Sequence, residues 1–312
     1  MSNQTILQKV VTPQQLDSYL TSGFDRVFGF TLRAADGLEA ANPAELFQAH
    51  ALGFDGSPFS ADDAEIHVLL FPAQPQMHVE DAIGGNDKEG AEKTGGPFVE
   101  PAPFTGTGFA PWPGHVAPVY WVRHSRVPAG SELHRVTAVG ERAHVATFVD
   151  TATGWQAAPG LPALTPPAAP FPASRLVGPT AVYQGDTFAA DPLLDGESVA
   201  LCAAQETDGF ERTPLGRYRR VVPMSALSEL TELVMTGTVA GLPVRVVDVY
   251  RGEEGPLLWV SYTEHLSVLA EAFGLRKIDA GVYEMQVPAD ALRDSQTVQL
   301  APRSWAAANS AG

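Results

Sequence analysis

Cysteine is almost missing from this chain: among 312 residues only Cys202 carries a thiol, so neither an intrachain disulfide nor a cysteine-built zinc site can form. A lone thiol points to a reducing compartment. Long apolar runs are missing too, with no uninterrupted stretch of about 18 apolar residues, and the opening MSNQTILQKVVTPQQLDSYL has no apolar core of signal length. A cytoplasmic protein without a membrane partner is expected. Basic residues are scarce: 20 Lys plus Arg against 36 Asp plus Glu give a net charge of −16. That field repels a phosphate backbone, which excludes nucleic acid as an expected partner, and it is compatible with a basic protein partner. Catalytic signatures are also lacking, since no G-x-S-x-G elbow and no HExxH pair occurs.

What is present favours strands. The chain holds 26 Pro and 29 Gly, a composition for many turns and short strands. Its length exceeds one ordinary domain of roughly 100 to 200 residues. The clearest break is WQAAPGLPALTPPAAPFPASR, residues 155–175, whose six prolines deny both helix and ladder. The expected organisation is an N-terminal α+β domain over 1–154 with a long Gly/Pro-rich surface loop at 84–114, a linker over 155–175, a C-terminal domain over 176–302 and a tail over 303–312. Stiff Pro-rich segments act as spacers, so semi-independent motion of the halves is expected.

Local signals fill in the first half. Thr12 with Pro13, and Asn42 with Pro43, each set an N-cap before a first-turn proline, which predicts two short helices. RVFGFTL, EIHVLLFP, PVYWVRHSRVP and HVATFVD are β-branched and aromatic runs, hence strands, and Gly140-Glu141 marks a hairpin between two of them.

The second half carries an internal echo. In GRYRRVVPMSAL (216–227) and GVYEMQVPADAL (281–292), Gly216, Tyr218, Val222, Pro223, Ala226 and Leu227 fall on Gly281, Tyr283, Val287, Pro288, Ala291 and Leu292 without a gap. The implied unit is two strands, a variable insert, and a G-x-Y strand stopped at Val-Pro, where proline lacks the N–H that a ladder needs. The two copies span about 180–227 and 240–292. In the second, TEHLSVLAEAFGLRK reads as a helix stopped by Gly274. The fold class expected is therefore α+β and β-rich: a mixed α+β domain, then a duplicated small β-sheet unit with one packed helix. The first copy is expected to expose Arg217, Arg219 and Arg220 where the second has Val282, Glu284 and Met285.

Candidate chemistry is sparse. Gly85 to Thr94 imitates a phosphate loop, but Ala91-Glu92 separates the second glycine from Lys93-Thr94, so a solvated loop is the better reading. His67, His78, His115, His124, His134 and His144 crowd the first half without diagnostic metal spacing. No metal and no cofactor is called for. Cys202, in SVALCAAQ, reads as inert packing. An enzymatic reading would use Arg123, Glu132 and Arg135 at strand ends, with Ser131 nearby and Tyr120 and Trp121 for stacking, on a nucleotide or sugar. Against it, the turn is an ordinary P-A-G-S and strand aromatics usually fill a core. A binding reading would use Trp112, a loop Trp beside prolines that either projects or folds back. It would also use the acidic turn Glu253-Glu254 with Tyr250 and Trp259 beside it, though such a turn can equally be a solvated hairpin tip.

EHLSVLAEAFGLRKIDAGVYEMQVPADAL, with DGFERTPLGRYRRVVPMSAL before it, resembles actinobacterial immunity proteins linked to NAD-glycohydrolase toxins of the tuberculosis necrotizing toxin type. The resemblance spans about the last 40% of the chain. It implies a cytosolic antitoxin that plugs a toxin's dinucleotide cleft, needs no cofactor and is not an enzyme.

Overall fold

The computed structural model describes residues 4–85, 87–94, 96–112, 114–253 and 255–306. Strands take up 45% of the residues and helices 14%, so the fold is α+β and β-rich. The first half opens with β1 (Ile6–Val10) and α1 (Pro13–Asp17). Thr12 and Gln15 close a reciprocal capping box there, as two of the helix's orphan backbone donors require. The helix runs on as a π turn over Ser18–Ser22 and stops at Gly23, where φ is 69°. Next come β2 (Arg26–Arg33), α2 (Ala34–Gly37) and α3 (Pro43–Ala49), the last capped by Asn42. Then follow β3 (Glu65–Pro72), β4 (Val79–Asp81), α4 (Lys88–Thr94), β5 (Phe109–Trp112), β6 (His115–Pro118), β7 (Tyr120–Arg126), β8 (Ser131–Thr137), β9 (Arg142–Phe148) and β10 (Trp155–Ala157).

Eight of these strands form one antiparallel sheet in the order β10-β9-β8-β3-β1-β2-β7-β4, and β5 and β6 pair with each other as a separate two-stranded sheet. Alternation along the strands sends Phe28, Phe30, Leu32 and Trp121 into one core, and Leu69, Phe71, Val122 and Phe148 into another. Both faces are covered, which is why β2 reads as a nearly continuous apolar run. The stretch 84–114, expected as a surface loop, contributes α4 and β5 and buries Phe98 and Trp112 in the first core.

The second half contributes β11 (Pro179–Tyr183), β12 (Asp186–Pro192), β13 (Ser198–Ala203), β14 (Glu211–Arg212), β15 (Tyr218–Pro223) and β16 (Glu229–Val239). After it come β17 (Leu242–Gly252), β18 (Gly255–Tyr262), α5 (Ser267–Ala272), β19 (Arg276–Asp279), β20 (Val282–Pro288) and β21 (Arg293–Leu300). They form an eleven-stranded sheet in the order β14-β15-β13-β12-β11-β16-β17-β18-β20-β19, with β21 added on β16. Both β15 and β20 end at a proline and pass into a single 3₁₀ turn, at Met224–Ala226 and Ala289–Ala291. Among the described residues no helix is long and apolar enough to cross a membrane.

The two sheets share buried contacts. Ala280 and Val282 belong to the same core as Phe28, Phe30 and Trp121, and a Cβ on Gly281 would stand 3.1 Å from Trp121. Residues 155–175, expected to link the halves as a spacer, begin as β10 and then pack along the seam. Phe171 sets its amide on Ser22 O and its ring 5.0 Å from that of Phe24. Buried guanidinium groups fix this strap, because each N–H needs an acceptor. Arg126 donates to the carbonyls of Ser174, Val177, Pro179 and Ala190 and to Asp191. Arg217, expected to be exposed, is buried and donates to the carbonyl of Thr151, just before the strap, and to that of Phe171 on it, because a buried guanidinium needs acceptors.

Candidate functional site

Strand alternation assembles one polar and aromatic face in the second half. Asp248 and Tyr250 on β17 stand opposite Trp259 and Leu257 on β18, and Ser261 on β18 stands opposite Glu284 on β20, itself opposite Arg276 on β19. Residues two apart share a side, so Asp248, Tyr250, Trp259, Glu284 and Arg276 face the same way. The Tyr250 and Trp259 rings meet edge to face at 6.3 Å. A bulge between Val246 and Asp248 re-aims the end of β17. Beyond it, among the described residues, Val249–Gly252 have β18 as their only strand neighbour, and Val249 is 48% exposed. Glu253 sits exposed at the hairpin tip. Glu254 lies outside the described residues.

Behind this hairpin the face closes against the first half. Arg26, at the start of β2, places Nη2 at 2.7 Å from Asp248 and its guanidinium 4.9 Å from the Phe171 ring. The His124 Nε2 lies 2.7 Å from Glu284 Oε1, and the Trp259 indole N–H donates to Glu284 Oε2 at 2.5 Å. Burial holds His124 below its ordinary pKa against the pull of Glu284, so the ring is neutral at pH 7. Burial and the nearby Asp248 and Glu284 push the Tyr250 phenol up. Between the two sheets remains a cleft of about 150 Å³, walled by Phe24, Phe28, Phe171 and Trp259, with Gln15 and Arg26 at its polar side. Two buried donors beside it, Gln15 Nε2 and Arg26 Nε, make no hydrogen bond among the described residues, and Arg26 Nε lies 3.9 Å from Asp25 Oδ1.

Of the residues singled out from sequence, the fold gathers Tyr250 and Trp259 and sets Glu253 at the tip of the same hairpin. Trp112 goes elsewhere: it is 7% exposed and stacks on His115 at 4.2 Å, because its strand folds back over the first core. Arg123, Glu132 and Arg135 do not converge. Arg123 on β7 pairs with Glu80, Glu132 on β8 with His134, and Arg135 with Glu65. Strands β3, β1 and β2 separate β7 from β8 in the sheet. Lys93 of the phosphate-loop look-alike pairs with Asp81. Cys202 is buried on β13, where burial pushes its thiol up to about 11. Among the described residues no three His, Cys, Asp or Glu side chains gather as metal ligands would.

Gln15, Arg26, His124 and Glu284 were not read as a group. The hydrogen bond between His124 and Glu284 closes over 160 positions, and no local pattern in a sequence encodes such a meeting. The one available signal was Gln15 three residues after Thr12, which marks the cap but not the cleft beside it. No family model, no curated protein and no solved structure matches this chain.

Proposed function

We propose that this protein is a non-enzymatic cytosolic binder that neutralises a partner protein, of the NAD-glycohydrolase toxin class that the sequence resemblance implies. The carrying observation is the β17–β18 hairpin, whose outer half has, among the described residues, no strand neighbour on the far side of β17 and carries exposed Val249 and Glu253 on a base stiffened by Tyr250 and Trp259. Apolar contact ringed by charge is the composition of a docking surface. Glu253, with Glu254 beside it in sequence, and the net charge of −16 suit a basic cleft on the partner. In this proposal the second sheet is a duplication. The order β14-β15-β13-β12-β11-β16 is repeated as β19-β20-β18-β17-β16-β21, with β16 closing one unit and opening the next. The alternative, an enzyme acting on a nucleotide or sugar through Arg123, Glu132 and Arg135, has less support, because each of these side chains is spent on a different ion pair.

The test is inhibition of NAD hydrolysis by a purified toxin domain of this type, titrated with this protein at low and at physiological salt. Stoichiometric inhibition is the expected outcome, weakened at least about tenfold by Glu253→Lys and by Tyr250→Ala, the size of a lost hot-spot contact. Absence of inhibition and of complex formation at micromolar concentrations and low salt overturns the proposal.

A further inference from the structure

We infer that a pocket in the first half, between the β5–β6 hairpin and the chain just before it, binds an uncharged, multi-ring aromatic small molecule. This does not rest on the partner-binding proposal, which uses the β17–β18 hairpin of the other half.

The hairpin's outer face is the starting point. Along β5, Ala110 and Trp112 are buried while Phe109 and Pro111 are exposed, and along β6 Ala117 is buried while Val116 is not. Phe109 pairs with Pro118 and Pro111 with Val116, so these four side chains share one face. The open side of an antiparallel ribbon ordinarily carries polar residues. Here all four positions are apolar, and Phe109 remains 53% and Val116 64% exposed. Contiguous exposed apolar surface marks an interaction site, and a concavity beside it says of what kind. Phe109, Pro111 and Val116 form one wall of a pocket of about 410 Å³, which lies in the range of small-molecule sites and holds more than one ring.

The opposite wall, Phe104 to Gly108, is fixed in place. Phe104 stacks on Phe30 at 4.1 Å, and a Cβ on Gly106, where φ is 69°, would stand 2.7 Å from the Gly84 oxygen. Its backbone acceptors are already used: the Gly106 carbonyl takes the Gly84 N–H, and the Gly108 carbonyl takes that of Val119. Phe30, Ala82, Phe98 and Val119 line the space between the walls. Among the described residues no Lys, Arg, His, Asp or Glu lines the pocket, and its uncharged polar side chains, Gln48, Thr105 and Thr107, are all exposed to solvent. An ion entering this space would shed water and meet no counter-charge, a loss that apolar walls do not repay. The rings of Phe30, Phe98, Phe104 and Phe109 suit the faces and edges of a flat aromatic body.

A matched pair of fluorescent probes reads the selection. N-phenyl-1-naphthylamine and its 8-sulfonate share one three-ring skeleton and differ by a single negative charge. The full chain is titrated into each at about 1 M salt, where screening shortens to about 3 Å and the net charge of −16 no longer repels the sulfonate from afar. The neutral probe is expected to bind with a dissociation constant at or below about 0.2 mM, as ligand efficiency allows for about 17 heavy atoms. The sulfonate should bind at least about tenfold more weakly. Phe109→Asp and Val116→Asp each place a carboxylate in the exposed wall, and each should weaken the neutral probe at least about tenfold while the melting temperature holds. Val298→Asp, at a side chain 51% exposed on β21 in the other half, should leave its binding unchanged. Equal affinity for the two probes, unchanged binding of the neutral probe in folded Phe109→Asp or Val116→Asp, an equal loss in Val298→Asp, or no saturation by the chain at about 1 mM overturns the inference.

Discussion

At the scale of single residues, the seam between the sheets is governed by burial of charge. Arg126 satisfies its guanidinium on four carbonyls and on Asp191, whose Oδ1 lies 3.3 Å away. Burial nevertheless pushes the Asp191 carboxyl up to about 6, from an ordinary 3.8, and Arg126 only partly counters it. A folded pKa above the unfolded one means that the native state binds the proton more tightly. The stabilising contribution of Asp191 is then complete below about pH 4 and is lost as pH rises through about 6. His50 works in the opposite direction. It is buried against Gln8, with its pKa lowered to about 3 from 6.5, so its contribution is present above about pH 6.5 and is lost on acidification. The two offset each other across one window, and only a variant separates them. Asp191→Asn should abolish the decline: the stability of the parent minus that of the variant falls by about 2–3 kcal/mol between pH 4 and pH 6.5. Urea midpoints at four pH values measure it, and a pH-independent difference refutes the assignment.

At the scale of elements, residues with hard backbone rules were legible and long-range partners were not. Pro223 and Pro288 end their strands as a missing N–H demands, Thr12 and Asn42 cap their helices, and Gly274 at φ 71° stops α5. The face of Asp248, Tyr250 and Trp259 follows from period-two alternation once strand register is known. Register was not legible, because the bulge after Val246 shifts it and nothing in PVRVVDVY marks the extra residue. The cleft was less legible still, since α1, β2 and β20 meet only through tertiary packing. One turn remains imperfectly matched to its geometry. The β16–β17 connection is a two-residue loop of Ala240 (φ 51°) and Gly241 (φ 84°), between Val239 and Leu242. Both residues are left-handed, which is the type I′ pattern that prefers Asn-Gly. Exposed Ala240 carries a Cβ penalty there that Asn largely escapes. Ala240→Asn should raise unfolding stability by about 0.5–1 kcal/mol, with the denaturant slope unchanged. A loss of stability would show that the turn is not strained at Ala240.

At the scale of the whole molecule, the question is whether the halves unfold together. A Pro-rich strap between two sheets suggests separate bodies, and domain interfaces within a chain are usually polar and mobile. Here the strap is pinned from both sides. Arg126 and Arg217 reach it from the first and second sheets, and Arg245 on β17 donates to the carbonyls of His124 and Leu176. The first core also counts Ala280 and Val282 among its own residues. Separating the sheets would bare these apolar contacts and strand three buried guanidinium groups, a cost of several kcal/mol. A state with one half folded is therefore unfavourable, and the chain should unfold in a single step. Two probes can see this in a Trp259→Phe, Trp305→Phe variant: labelling of Cys202, which reports β13, and tryptophan fluorescence, in which the remaining Trp112, Trp121 and Trp155 report the first half. Coincident denaturant midpoints are the expected result. If Cys202 labels well before the fluorescence changes, the second sheet opens alone, and the buried arginines then hold the strap without coupling the halves.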